Sequence, residues 1–289
     1  MILVSKGGMD DMTGKSKRMI WNGAKYLFLI LGSFVMIIPF AWMISTSFKG
    51  TSEIFTFPPV WIPKEPTLRG YVRLLTNNRM PFLAFFKNSL FITVIVVIFQ
   101  VSTSACAGYA FAKLKFKGKQ VLFIGYLATM MIPVHATLVP TFMVMKELGL
   151  VDTHMALILP NIVSVFGTFL LKQFFETVPQ SLIEAAKMDG ATPGRVFVSI
   201  ALPLSKPSLA TLAIFVMLST WNDYIRPLIF LNTLNKYTLP LGLALLNGTF
   251  TTDWAVLMAG TTLAVVPVLI AYILAQDYFV KGVMLSGIK

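Results

Sequence analysis

Six apolar runs free of Asp, Glu, Lys and Arg stand out along the chain: Tyr26 to Phe48, Asn88 to Ala112, Gln120 to Met145, Thr153 to Leu171, Pro207 to Asn222 and Trp254 to Gln276. A helix rises about 1.5 Å per residue and the bilayer core is about 30 Å thick, so five of the runs are long enough to cross it. The fifth in order is marginal and is expected to continue past Asp223 toward Ile229. The pattern predicts an all-α, polytopic membrane protein: an arm over residues 1–25, then six transmembrane helices within 26–289. Prolines inside the runs, at Pro39, Pro133, Pro140, Pro160 and Pro267, predict kinks, because each removes an N–H and frees a carbonyl that needs another partner. The small residues from Ser102 to Gly108 permit close helix packing within the chain. Thr67 to Leu75, between the first two runs, is expected to form a short helix at the outer interface.

Composition agrees with this pattern. Of the 289 residues 56% are hydrophobic and 12% charged, about half the charge of an ordinary soluble domain. The formal charge of +12 is explained by lysines and arginines flanking spans rather than by nucleic acid, since no basic patch is interleaved with aromatics. With both termini inside, fifteen of the 24 Lys and Arg fall on inner segments: Lys6 to Lys25, Lys113 to Lys119, Lys172 to Lys206, Lys281 and Lys289. The short loop with four lysines carries the most weight, because it joins two good spans. The single cysteine, Cys106, excludes a disulfide framework and is expected to be a packed, inert thiol. His135 and His154 lie on different spans without a further ligand pattern, so no metal site is expected.

The interval over residues 172–206 is the longest charged insertion on the inner side. Within it Leu182 to Met188 favour helix, and Gly190 can supply the left-handed residue that ends it. Thr192 is placed to cap a second helix with Pro193 at its first position and an apolar run to Leu202, and Pro203 and Pro207 mark the next change of direction. The expected product is a helix-turn-helix outside the hydrocarbon, with small side chains where another protein could approach. A plain connection between spans has the same composition.

Glu184-Ala185-Ala186, followed by Asp189-Gly190, Leu202-Pro203 and Pro207, resembles the cytoplasmic EAA loop of the membrane-spanning subunits of binding-protein-dependent ABC importers. The likeness continues through Asn88-Ser89-Leu90, Gly108 to Ala112, Met131-Ile132-Pro133, Trp221-Asn222-Asp223, Thr238 to Gly242 and Trp254 to Ala259. It covers nearly the whole chain beyond Tyr26 and is closest to the maltose-transporter G-type permeases of the carbohydrate-uptake branch. The resemblance implies a six-spanning permease of the bacterial cytoplasmic (inner) membrane, multi-pass, with both termini in the cytoplasm. It implies translocation of a sugar or oligosaccharide, with energy from separate ATPases. The implied partners are a second homologous permease, two cytoplasmic ATP-binding subunits and an extracytoplasmic solute-binding protein. The residues that match the coupling motif are Glu184, Ala185, Ala186, Asp189, Gly190, Leu202 and Pro203, and the Trp221-Asn222-Asp223 segment matches a helix lining the translocation route.

Read from the residues alone, Asp223 and Arg226 could pair with each other, hydrogen-bond a sugar in transit or mark the interface. No Walker-type glycine loop, nucleophile elbow, zinc signature or dinucleotide fingerprint occurs in the sequence, so neither a catalytic site nor a cofactor is expected. A secondary transporter or a non-transporting membrane scaffold is the alternative. The topology has a direct check. A cysteine at Gly118, in a protein whose Cys106 has been replaced, is expected to resist a membrane-impermeant thiol reagent in intact cells and to react after permeabilisation; ready reaction from outside overturns the inner placement of the lysine loop.

Overall fold

The computed structural model describes residues 7–247 and 252–286, and among these every regular element is helical. Lys6 and Lys289, counted above as inner basic groups, lie outside the described residues. Four helices are long and apolar enough to cross a membrane: Trp21–Ser47, Phe82–Lys113, Met155–Thr177 and Trp254–Gln276. Two bent pairs make six if each is one span: Lys119–Met131 with Val134–Glu147, bent by 93°, and Pro193–Leu204 with Lys206–Trp221, bent by 78°.

The element bounds differ from the apolar runs for identifiable reasons. The first helix begins at Gly7, so residue 25 marks no break in it. The fourth continues beyond Leu171 to Thr177 because Leu171 and Phe175 stay buried, while Lys172 reaches Glu176 at 2.7 Å and lies over the Phe123 ring at 4.5 Å. Charge ends a hydropathy window there without ending the helix. The fifth stops at Trp221 instead of running to Ile229, and a separate helix, Ile225–Phe230, follows. Pro227 lies in the first turn of that helix, where its missing N–H leaves no broken bond.

The chain divides into two units. In the first, which holds the residues up to Tyr71 and Trp254–Thr262, Ser47 Oγ and the Tyr71 hydroxyl are 2.8 Å apart, and a Cβ on Gly70 would meet the Ala255 carbonyl oxygen at 2.8 Å. Lys49 is buried with its ammonium 3.9 Å from the centre of the Trp42 ring, and burial lowers its pKa against the opposing pull of Glu53. The short helix between the first two runs is present as Arg69–Thr76.

The second unit is built on Phe82–Lys113 packed against Val165–Thr177 and Lys206–Trp221. The small-residue patch makes this approach possible: a Cβ on Gly108 would meet the Lys172 amide nitrogen at 2.9 Å, and one on Gly167 would meet Ser104 Oγ. Cys106 is a correction to the sequence reading. It is exposed, because Ser104, Ala105 and Gly108 form the buried side of that turn and Cys106 falls on the other.

Asp152 ties two loops of this unit together. Its Oδ1 accepts from the Asn232 and Thr233 amides at 2.9 Å each, and its Oδ2 accepts from Thr233 Oγ1 at 2.6 Å and Lys236 Nζ at 3.0 Å. These bonds, those from Thr233 foremost, hold its carboxyl well below the usual carboxylate range. The folded value lies below the unfolded one, so the stabilisation is complete above the unfolded pKa of about 4 and is lost as pH falls toward the depressed folded value. Asp152→Asn removes the charge facing Lys236. It is expected to lower the thermal midpoint of the detergent-solubilised protein by a few degrees at pH 7, with the difference narrowing below about pH 4. Equal midpoints across that range would leave the tie without energetic weight.

Candidate functional site

Two features carry the chemistry, an exposed helical element and a polar cavity. The exposed element begins with the helix Gln180–Met188, whose end is closed by a pair of backbone bonds: Ala191 N to Ala186 O at 2.9 Å and Gly190 N to Lys187 O at 3.0 Å. This is a Schellman ending, and it requires the left-handed Gly190, whose φ is +81°. A Cβ at Gly190 would meet nothing within 4 Å, so backbone conformation rather than space selects glycine. Thr192 Oγ1 accepts from the Arg195 amide at 3.4 Å to start Pro193–Val196. The chain then passes through a π-helical turn, Phe197–Ala201, which the sequence reading missed, and through Leu202–Leu204 to the 78° bend.

The element is seated by Ile183, Val196 and Ala201, all buried, while Glu184, Ala185, Asp189, Gly190 and Pro203 are exposed and Ala186 and Leu202 are half-buried. Glu184 accepts from the Gln180 side chain at 3.3 Å. Gln180 lies one turn earlier on the same face. Phe197 joins the element to the spans: its ring centre is 4.9 Å from that of Tyr109 and 6.2 Å from that of Phe175, which are themselves 5.6 Å apart. Beside it Lys113 Nζ donates to the Val178 carbonyl at 2.7 Å, and Lys119 Nζ to that of Leu114 at 3.1 Å. Two of the four loop lysines therefore satisfy main-chain carbonyls, each just past a helix C-terminus.

The cavity has a volume of about 310 Å³ and is bounded by Gln100, His135, Asn161, Ser219, Thr220, Asp223 and Arg226 together with apolar neighbours. Gln100 lies about 27 Å from the start of Phe82–Lys113 and about 20 Å from its end, well inside a helix of spanning length. The other polar residues come from interruptions in helices. His135 follows the 93° break, Asn161 sits in the 3-10 turn Leu159–Asn161, and Asp223 follows the end of Lys206–Trp221. Side chains bond to carbonyls at two of the breaks, Thr103 Oγ1 donating to Ile162 O at 2.6 Å and Asn161 Nδ2 to Leu157 O at 2.7 Å, while Asn222 Nδ2 joins its own amide on Leu218 O at 2.9 Å. Arg226 donates to Asn161 Oδ1, stands 3.7 Å from Asp223 Oδ2 and gives its amide to Asp223 Oδ1 at 3.3 Å.

The structure separates the three consecutive residues Trp221, Asn222 and Asp223. Trp221 is buried, donating its indole N–H to the Ala264 carbonyl at 3.1 Å with Phe86 edge-on at 5.7 Å, and Asn222 is turned onto its own helix. Only Asp223 of the three borders the polar cavity. Gln100 and Asn161 were missed by the sequence reading, although a lone amide inside each long apolar run was the available signal. No group of His, Cys, Asp and Glu able to hold a metal ion occurs among the described residues.

Described residues that are helical throughout their regular elements, with several spans, a polar cavity between helices and a seated, exposed helix, have the architecture of a membrane permease. Residues 100–285 match the family described as the inner membrane component of binding-protein-dependent transport systems, and the chain belongs to that family. The arabinooligosaccharides transport system permease protein AraQ of Halalkalibacterium halodurans is 34% identical, covering 89% of this chain and 92% of that one. The inner membrane ABC transporter permease protein YcjP of Escherichia coli is 32% identical over 95% of this chain and 99% of its own length. The trehalose/maltose transport system permease protein MalG of Thermococcus litoralis is likewise 32% identical, over 92% and 97%. A solved bacterial ABC transporter involved in import of the acidic polysaccharide alginate contains a chain with the same fold, at a TM-score of 0.80 and 24% identity, covering 96% of this chain and all of that one.

Proposed function

We infer that this chain is a membrane-spanning subunit of an ATP-driven importer that carries a sugar or oligosaccharide across the bacterial cytoplasmic membrane, with both termini in the cytoplasm. The observation that carries the reading is the exposed Glu184 to Gly190 face, closed by its Schellman ending and joined to the spans by Phe197. The relatives named for arabinooligosaccharides and for trehalose and maltose support a sugar as cargo. A solved alginate transporter in complex with a pentasaccharide-bound periplasmic protein supports a binding protein as the source of that cargo. Two cytoplasmic ATPases dock on the element of each permease pair, this chain and a homologous second permease. ATP then shifts the permease between inward-open and outward-open states through contacts that differ between the two. The chain contributes no nucleotide chemistry of its own. Trp221 holds the end of its helix, and Asp223 faces the route.

One observation favours an ion-coupled transporter instead, namely the Asp223–Arg226 pair inside the helical unit. Uptake into proteoliposomes distinguishes the two readings. ATP-dependent uptake that survives collapse of ion gradients supports the importer, whereas uptake driven by a gradient without ATP overturns it. The isolated chain is expected to bind no ATP, and saturable binding would contradict the division of labour.

The docking surface has its own variants. Glu184→Lys reverses the charge on the exposed face, and Gly190→Pro forbids the left-handed turn, where even a Cβ costs about 1 kcal/mol. Both proteins are expected to reach the membrane, yet to lose ATPase co-purification or to hydrolyse ATP without sugar uptake. Unchanged co-purification, hydrolysis and uptake in both would make the element a passive connection.

A further inference from the structure

We propose that the cavity bounded by Gln100, His135, Asn161, Thr220, Asp223 and Arg226 is a binding station for one uncharged, hydroxyl-rich sugar unit, with the Asp223–Arg226 pair excluding acidic sugars. This rests on the sugar-import reading and adds to it a site, a size and a charge class for the cargo within this subunit.

Size limits the occupant first. Sites for small molecules run from about 300 to 1,000 Å³, and the cavity, at about 310 Å³, has room within it for a single sugar ring. Chemistry comes next. A sugar hydroxyl both donates and accepts, and so do the Gln100 amide, the Thr220 hydroxyl and the two nitrogens of the His135 ring. Among the described residues these three side chains make no hydrogen bond to the protein. His135 is exposed and Gln100 and Thr220 are half-buried, so these groups are accessible to a polar occupant of the space. No Phe, Tyr or Trp borders it, so no large aromatic face is offered to the sugar. Hydrogen bonds alone hold it, with the short residence that passage requires.

Charge narrows the class further. Arg226 is the cation that an acidic sugar would seek, but its guanidinium is already shared between Asn161 Oδ1 and the Asp223 carboxylate, 3.7 Å away. A uronate brought to Arg226 would stand beside the Asp223 carboxylate, which faces Arg226 Nη1, a like-charge contact that selects against it. An uncharged ring meets no such conflict. Arg226 also borders a second cavity of about 370 Å³, which shares Val134 and Leu138 with the first, whereas Asp223 borders the first alone.

The test uses the whole complex in proteoliposomes, first assayed for ATP-dependent uptake of maltose, trehalose, arabinobiose and digalacturonate. Thr220→Cys is then introduced with Cys106→Ser, and modification of the new thiol by a small methanethiosulfonate reagent is timed with each sugar present. The imported neutral sugar is expected to slow the reaction about fivefold when present at about four times its Kd, and digalacturonate is expected to leave it unchanged. Adding Asp223→Asn removes the carboxylate beside Arg226, so digalacturonate should then protect. If Thr220→Cys prevents assembly, Gln100→Cys reports on the same space. A neutral sugar that the vesicles import without protecting either thiol overturns the station while leaving the importer reading intact. Protection by digalacturonate with Asp223 unchanged overturns the charge selection. Uptake of none of the four sugars removes the sugar reading and the station with it.

Discussion

Inside a bilayer a carbonyl released from its helix finds no water, and this chain releases carbonyls wherever its spans are interrupted. The breaks at Ile132-Pro133, Pro160-Asn161 and Asn222 to Tyr224 each bring a polar side chain to the same cavity. The side chains that close the broken ends, Thr103 and Asn161, are placed by that need. Prolines that would destabilise a soluble helix are here the means by which an apolar bundle acquires a polar interior. The close approach of Gly108 and Gly167 to neighbouring elements compensates by burying the intact parts of the helices against one another.

The exposed element and the cavity share structural members. Phe82–Lys113 carries Gln100 in its interior and Tyr109 about 14 Å further on. Val165–Thr177 begins just after Asn161 and carries Phe175 near its other end. Phe197 packs on both Tyr109 and Phe175, so the surface presented by Glu184 to Gly190 and the polar residues are connected by continuous packing. Close-packed side chains transmit a displacement rather than absorb it. The π-helical turn at Phe197–Ala201 and the buried Ser205, which donates to the Ala201 carbonyl at 2.6 Å, lie at the bend where such a displacement would turn into rotation of Lys206–Trp221.

Basic residues have two roles that composition merges. Lys115 and Lys117 are exposed and contribute to the sidedness argument alone, whereas Lys113 and Lys119 also bond main-chain carbonyls. Elsewhere in the chain Lys236 answers Asp152 and Lys49 lies on an indole face. The charge excess of a membrane protein is therefore partly local structure.

The sequence by itself determined the class of the protein and the position of its exposed element. Hydrophobic runs of spanning length have only one all-helical solution in lipid, and local rules suffice for an ending at Gly190 and a start at Thr192, since both depend on φ preference and near-neighbour hydrogen bonds. The same local character made the span ends legible only to within several residues: the helix through Lys172 and Glu176 outlasts its hydropathy because those charges pair and rest on Phe123. Only the tertiary structure decided which of Trp221, Asn222 and Asp223 faces the cavity, that Cys106 is exposed, and that Gln100 and Asn161 meet Arg226's neighbourhood from helices far apart in sequence. The reason is geometric. A helical residue turns by about 100° from its neighbour, so which of three successive side chains meets a given cavity depends on helix rotation and on where each break falls. Both are set by packing between distant segments.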